Sequence, residues 1–204
     1  MVVAEVRQRI PHADEDHAEA AGRVERQMQA LVRQLHRLLP IATPDPKIVK
    51  ARKGQTVLPL RGWCQLDGWS CGLTAAFSIL DYFRPGGFSM RGLRKYCDPD
   101  PDEGLGPSEI SDALRRFGLK CRITRSLTKC VVDTEIRKGN PILIGVEGEL
   151  LGFEDDHWMV LHGTSKGEVL LANNLYPGKS SQWVTWGWLK PGLEPLGWGM
   201  IVST

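Results

Sequence analysis

The stretch from Trp63 to Phe83, WCQLDGWSCGLTAAFSILDYF, constrains this chain more than any other. A loop punctuated by Gly and Trp gives way at Gly72 to a run in which Ala76, Ile79, Leu80 and Phe83 recur at steps of three and four, the spacing of one buried helical face. Cys71 therefore falls at the first turn of a buried helix. Unpaired backbone amides and the helix dipole at that turn favour a thiolate over a thiol, so a nucleophilic cysteine is well placed there. A small apolar residue packed under a loop is the other reading of the same position.

Two further features bear on Cys71. Gln65, six positions earlier, carries a side-chain amide able to donate to the oxyanion that forms when a thiolate attacks a carbonyl. Far downstream, His157 opens the apolar run HWMVLHG, and Asn173, sixteen positions later, closes the run EVLLAN. Nucleophile, base and orienter thus follow one another as Cys, His, Asn, with a Gln just ahead of the Cys. That is the order found in papain-like cysteine peptidases. Taken singly, each residue has a structural reading: His157 as a surface or ion-pair partner of Asp155 or Asp156, and Asn173 as a cap in an Asn-Asn turn. His162, five positions along the same run, faces the other side of a strand and is the poorer base.

The remaining chain supplies the scaffold. From about Asp14 to Leu39 the residues Val24, Met28, Leu31, Leu35 and Leu38 lay an apolar seam along a helix that Pro40 stops. Docking on the rest of the chain, a protein partner, self-association as a coiled coil and inhibition of the site all fit that seam. Pro44 and Pro46 mark an extended linker, which divides the chain into residues 1–49 (helix and linker) and a domain at 50–204. KARKG within it reads as a solvated turn.

After the Cys71 helix the turn RPGG stops it, and Ser89 caps a short second helix. Asp98, Asp100, Asp102 and Glu103 offer the donor type of a calcium site, but intervening prolines and the lack of EF-hand spacing favour a solvated loop. A third helix spans Pro107 to Phe117, with Ile110, Leu114 and Phe117 inward and Gly118 as its stop. From Leu119 the period changes: LKCRIT, PILIGVEG, HWMVLHG, EVLLAN, QWVTW and GWGMIVS read as strands, with a capped segment TEIRKGNP between the first two. Helices first and strands last predict an α+β fold with the nucleophile helix packed on an antiparallel sheet. A tight hairpin about Lys166 and Gly167 brings the end of EVLLAN beside His157.

Composition narrows the setting. The 204 residues, 42% hydrophobic, suit one domain with an appendage, and 26 basic against 24 acidic side chains leave no field to recruit nucleic acid or an anionic membrane. Five cysteines, at 64, 71, 97, 121 and 130, show no metal-ligand rhythm, and no cofactor motif is present. With neither a signal peptide nor a membrane span in the sequence, a reducing cytoplasm is the expected compartment. Of seven tryptophans, Trp63 and Trp69 flank the candidate nucleophile and are candidate walls of a substrate groove.

The blocks Q-x5-CGLTAAFSILDYF and HWMVLHG-x8-LANN resemble the papain-like peptidases that cleave bacteriocin leaders after a double glycine, and their stand-alone bacterial relatives. The resemblance covers about residues 60 to 202. It implies a papain-like fold, a peptide or protein substrate, and roles for Gln65 as oxyanion donor, Cys71 as nucleophile and His157 as base. Asn173 stands where those proteins carry an Asp orienter, as an Asn does in papain, and Ser70 stands where they usually show Asp. No transporter or ATPase segment follows in this sequence, so coupling to export is not implied. Acyl transfer, deamidation or isopeptide cleavage would use the same machinery. A catalytically silent module that binds a protein, and a disulfide-bonded effector released from the cell, are the readings outside enzymology.

Overall fold

A computed structural model describes residues 23–24, 26–28, 31, 42–44, 48–99, 104–151, 155–172, 181–193 and 197–204. The chain divides into two compact units, Met1–Pro40 and Ile41–Thr204. In the first, Arg23, Val24, Arg26, Gln27, Met28 and Leu31 are helical, and Leu35 and Leu38 of the expected seam lie outside the described residues.

The second unit is α+β. Strands β1 (Ala42–Pro44), β2 (Thr56–Val57) and β3 (Trp63–Gln65) lead into helices α1 (Cys71–Phe83), α2 (Met90–Cys97) and α3 (Pro107–Arg116). Strand β4 (Lys120–Thr124) and helix α4 (Lys129–Arg137) follow, then β5 (Ile142–Val146), α5 (Gly148–Leu151), β6 (His157–Thr164), β7 (Glu168–Ala172), β8 (Gln182–Thr185), α6 (Trp186–Leu193) and β9 (Gly199–Ser203). The main sheet runs β4-β9-β5-β6-β7-β8, every neighbour pair antiparallel, with β2 also pairing β6. A separate two-stranded ribbon joins β1 to β3.

Local chemistry explains the boundaries. The Ser89 side chain accepts from Gly92 N–H at 3.0 Å to start α2, and Thr128 accepts from Val131 N–H at 3.3 Å to start α4. Pro107 opens α3, where its missing N–H costs nothing, while the Glu109 carboxylate takes the Gly106 N–H at 2.7 Å. Gly118, at φ +85°, ends α3 in the left-handed conformation that a side chain resists.

Of the α1 face predicted from sequence, Ala76, Ile79 and Leu80 are at most 1% exposed, as is Leu73 one turn earlier, and the helix packs against β6. Each large aliphatic chain removed from water in this way contributes about 1.5–3 kcal/mol. Phe83, at the end of the same face, is only half-buried. Strand β5, ILIGV, is buried on both faces, as expected of a central strand with no polar alternation.

Two expectations change. QWVTW stops being a strand at Thr185, because Trp186 starts α6 with its amide bonded to the Gly167 carbonyl at 2.9 Å. PILIGVEG likewise turns helical at Gly148. The sheet also carries an irregularity in β6 between Leu161 and Gly163, where a Cβ on Gly163 would come within 2.8 Å of Leu170.

One buried carboxylate ties α4 to its surroundings. Glu135 accepts from Asn140 Nδ2 at 2.8 Å, Arg122 Nη2 at 3.0 Å and Lys138 Nζ at 3.2 Å. The Asn140 bond holds its pKa below the ordinary value against the opposing effect of burial, with help from Lys138 and Arg122. A lowered folded pKa gives stability that is present above the ordinary carboxyl range and lost as pH falls through the folded value. Glu135→Ala should therefore cost about 1–3 kcal/mol in urea unfolding at pH 7, since the exposed Arg122 and Lys138 heads rehydrate. The gap between variant and wild type should narrow as pH falls below the ordinary carboxyl range.

Candidate active site

The loop between β3 and α1 is shaped by a residue that sequence reading passed over. Asp67 Oδ1 accepts from Ser70 N–H at 2.8 Å and Trp69 N–H at 3.2 Å, an Asx turn that sets the chain's entry into the helix. The pattern D-G-W-S ahead of a helix carries that signal. Ser70 does not cap α1 through its side chain, and the helix begins with Thr74 N–H bonded to the Ser70 carbonyl at 2.9 Å. The amides of the first turn are left facing Cys71.

Cys71 is 9% exposed and His157, the first residue of β6, is 4% exposed. Both line one crevice of about 540 Å³. The two segments, some eighty residues apart in sequence, therefore meet at one surface. Trp69, Trp158 and Trp198 form aromatic walls, and Asp155 and Asp156 bring carboxylates to the same opening. The segment Gly104 to Pro107 closes another side, and Gly145, paired with Trp158 across β5 and β6, lies beneath.

Opposing influences act on the Cys71 sulfur. Burial pushes its pKa up from the ordinary thiol value, and the charge of Asp67 adds to that; backbone amides of Trp158, Gly72 and Cys71 pull it down without prevailing. The helix N-terminus thus favours a thiolate as expected, but desolvation is the larger effect. The balance of these influences favours the thiol over the thiolate.

The other sequence candidates divide. Trp69 lines the crevice and stacks under the Arg94 guanidinium, 5.2 Å from the ring centroid. Trp63 instead packs edge-on against Phe77 at 4.8 Å, a core position with no part in the crevice walls. Gln65 ends β3, and its Nε2 donates to the Asp67 carbonyl at 2.7 Å, so one of its two amide hydrogens is already engaged. Its carbonyl oxygen is buried with no hydrogen-bond partner among the described residues. Asn173 lies outside the described residues; β7 ends one residue before it, at Ala172, which pairs with Val160. His162 is fully buried with Nδ1 3.5 Å from the Leu58 carbonyl, away from the crevice walls.

None of the five cysteines forms a disulfide. Burial, with the nearby Glu109 charge, pushes Cys97 up to about 11, and Cys121 is raised by burial as well. Among the described residues no group of three His, Cys, Asp or Glu side chains could hold a metal ion, and no helix is long and apolar enough to cross a membrane.

No protein-family model matches the chain, and no curated protein matches it in sequence. Solved structures do match in shape. The peptidase domain of Streptococcus ComA, a bifunctional ABC transporter involved in quorum sensing, superposes with a TM-score of 0.56 at 16% identity, covering 69% of this chain and 95% of that one. A double-glycine-motif protease from an AMS/PCAT transporter, in complex with the leader peptide, gives 0.53 at 18% identity, over 80% of this chain and 98% of the other. A C39-like peptidase from Bacillus anthracis gives 0.52 at 11%, over 66% and 88%. The fold is therefore the papain-like fold of the double-glycine peptidase domains, here a helix led by Cys71 packed on an antiparallel sheet.

Proposed function

We propose that the chain is a cysteine peptidase that hydrolyses a peptide or protein amide through an acyl-enzyme on Cys71. The observation that carries this reading is the shared crevice. Cys71 enters it from the first turn of α1 and His157 from the start of β6, and both side chains are nine-tenths or more buried. The fold's likeness to peptidase domains supports the same reading. The substrate is an extended peptide segment laid along the aromatic walls, in keeping with the leader peptide bound to the PCAT-type relative.

The chemistry follows from the thiol state. His157 takes the Sγ proton as sulfur attacks the carbonyl, forming the S–C bond and pushing the carbonyl electron pair onto oxygen. The Cys71 amide and the second Gln65 N–H stabilise that oxyanion. Imidazolium then protonates the leaving nitrogen, the C–N bond breaks, and the amine departs. Water, deprotonated by His157, releases the acid and restores the thiol. Asn173, directly after Ala172 in the sequence, orients the ring through its carbonyl oxygen.

An epoxysuccinyl peptide tests the reading, because opening its ring requires a sulfur nucleophile and a nearby acid. The expected result is saturable modification confined to Cys71, read by peptide mass mapping, and retained in Cys64→Ala. Modification spread over several cysteines, or none at Cys71, would overturn it.

A further inference from the structure

Trp158 stands where the three parts of the crevice meet. Its backbone amide reaches the Cys71 sulfur, and it directly follows His157 in β6. Its indole Nε1–H donates to the Leu105 carbonyl at 3.0 Å, across 53 residues of sequence. Its ring lies 4.8 Å from that of Trp198. Gly72, next to the candidate nucleophile, provides the seat: a Cβ there would meet Trp158 Cδ1 at 3.2 Å, Leu105 Cβ at 3.2 Å and Ile110 Cδ1 at 3.0 Å. The wall segment is held at a second point, since a Cβ on Gly104, at φ +72°, would press on the Trp69 carbonyl at 3.0 Å.

We propose that Trp158 is a positioning residue whose indole N–H···O=C bond to Leu105 fixes the 104–107 wall of the crevice in register with the reacting pair. The proposal rests on the reading of Cys71 and His157 as that pair. Leu105 offers a backbone carbonyl, so the bond holds the course of the main chain itself. Gly104 to Pro107 line the crevice, so displacing that chain alters the surface a peptide lies against and leaves the sulfur where it is. The indole thus acts on substrate binding, and the backbone amide of the same residue acts on the thiol. Removing the indole N–H separates the two roles.

Two probes of different size read the difference: iodoacetamide, which needs only the sulfur, and an epoxysuccinyl peptide, which must occupy the crevice. Trp158→Phe should raise the half-saturating concentration of the epoxide about three- to tenfold, the equivalent of one lost buried hydrogen bond. Its limiting inactivation rate and the iodoacetamide rate should stay at wild-type values. Trp188→Phe, at an exposed tryptophan outside the crevice lining, should leave all three unchanged. Should Trp158→Phe fold poorly, replacing Trp158 with benzothienylalanine removes the N–H alone and should give the same shift. An indole with a merely structural role would lower the melting temperature and leave the half-saturating concentration unmoved, and that result overturns the proposal. Equal slowing of both probes also overturns it, by assigning the indole to the sulfur. Failure of the epoxide to modify wild-type Cys71 at all would instead remove the cysteine peptidase reading beneath it.

Discussion

Replacing Cys71 with alanine is expected to reduce hydrolysis of a mixed peptide library to the uncatalysed background. Replacing His157 with alanine should lower it by about 10²–10⁴-fold, the usual contribution of a positioned acid–base group. The double variant should be no slower than Cys71→Ala alone, because two groups that transfer one proton between them act as a unit and their losses do not add. The reason for so large a His157 effect lies in the sulfur. Burial favours the thiol at Cys71, so the proposed attack needs a base within the crevice, and His157 is the one histidine among the described residues that lines it. Liquid chromatography of the library before and after incubation measures all four proteins in one assay. Hydrolysis by Cys71→Ala that stays above the uncatalysed background and falls further in the double variant would mean that the two side chains act independently.

The second large effect concerns pH. Because desolvation, joined by the Asp67 charge, outweighs three backbone amides, the folded pKa of Cys71 lies above its ordinary value of 9.0. Alkylation follows the thiolate fraction, so the rate of iodoacetamide modification at Cys71 should climb about tenfold per pH unit through neutrality. It should show no plateau below the ordinary thiol range. A preformed thiolate–imidazolium pair would give a plateau well below pH 7 instead, and that profile would contradict the charge balance described for the site. The same shift has a consequence for stability with a definite sign. A raised folded pKa favours the protonated thiol, so its contribution is fully present below the ordinary thiol pKa and is lost as pH rises through the folded value. Cys71→Ala should remove that alkaline loss.

Much of this fold could be read from periodicity, because the relevant segments are strongly patterned. The α1 face, the Ser89 cap, the Gly118 stop and the runs that became β5, β6 and β7 all appear where their residues indicate. Helix α6 did not, since WGWLKPGL contains two glycines and a proline, and its start is set by a hydrogen bond to Gly167 from the neighbouring hairpin. Tertiary contacts decide such a segment. The same holds for the tryptophans. Trp63 and Trp69 sit symmetrically about the loop in sequence, yet one packs on Phe77 and the other opens on the crevice. Trp158, in β6, and Trp198, directly ahead of β9, complete the walls from places that only the sheet order brings near α1. The roles of Gln65 and Cys71 were suggested by spacing, but the strength of desolvation at the sulfur depends on how closely Gly72 lets Leu105, Ile110 and Trp158 approach, which no spacing encodes.

Proton exchange between Cys71 and His157 is tested most directly by two reagents on two proteins. Iodoacetamide expels iodide and needs no acid, whereas an epoxide must gain a proton as its ring opens. His157→Ala is predicted to slow epoxysuccinyl-peptide modification of Cys71 by about 100-fold or more while leaving its alkaline iodoacetamide rate close to that of the wild type. Equal epoxide rates in the two proteins would show that imidazole takes no part in the chemistry of that sulfur.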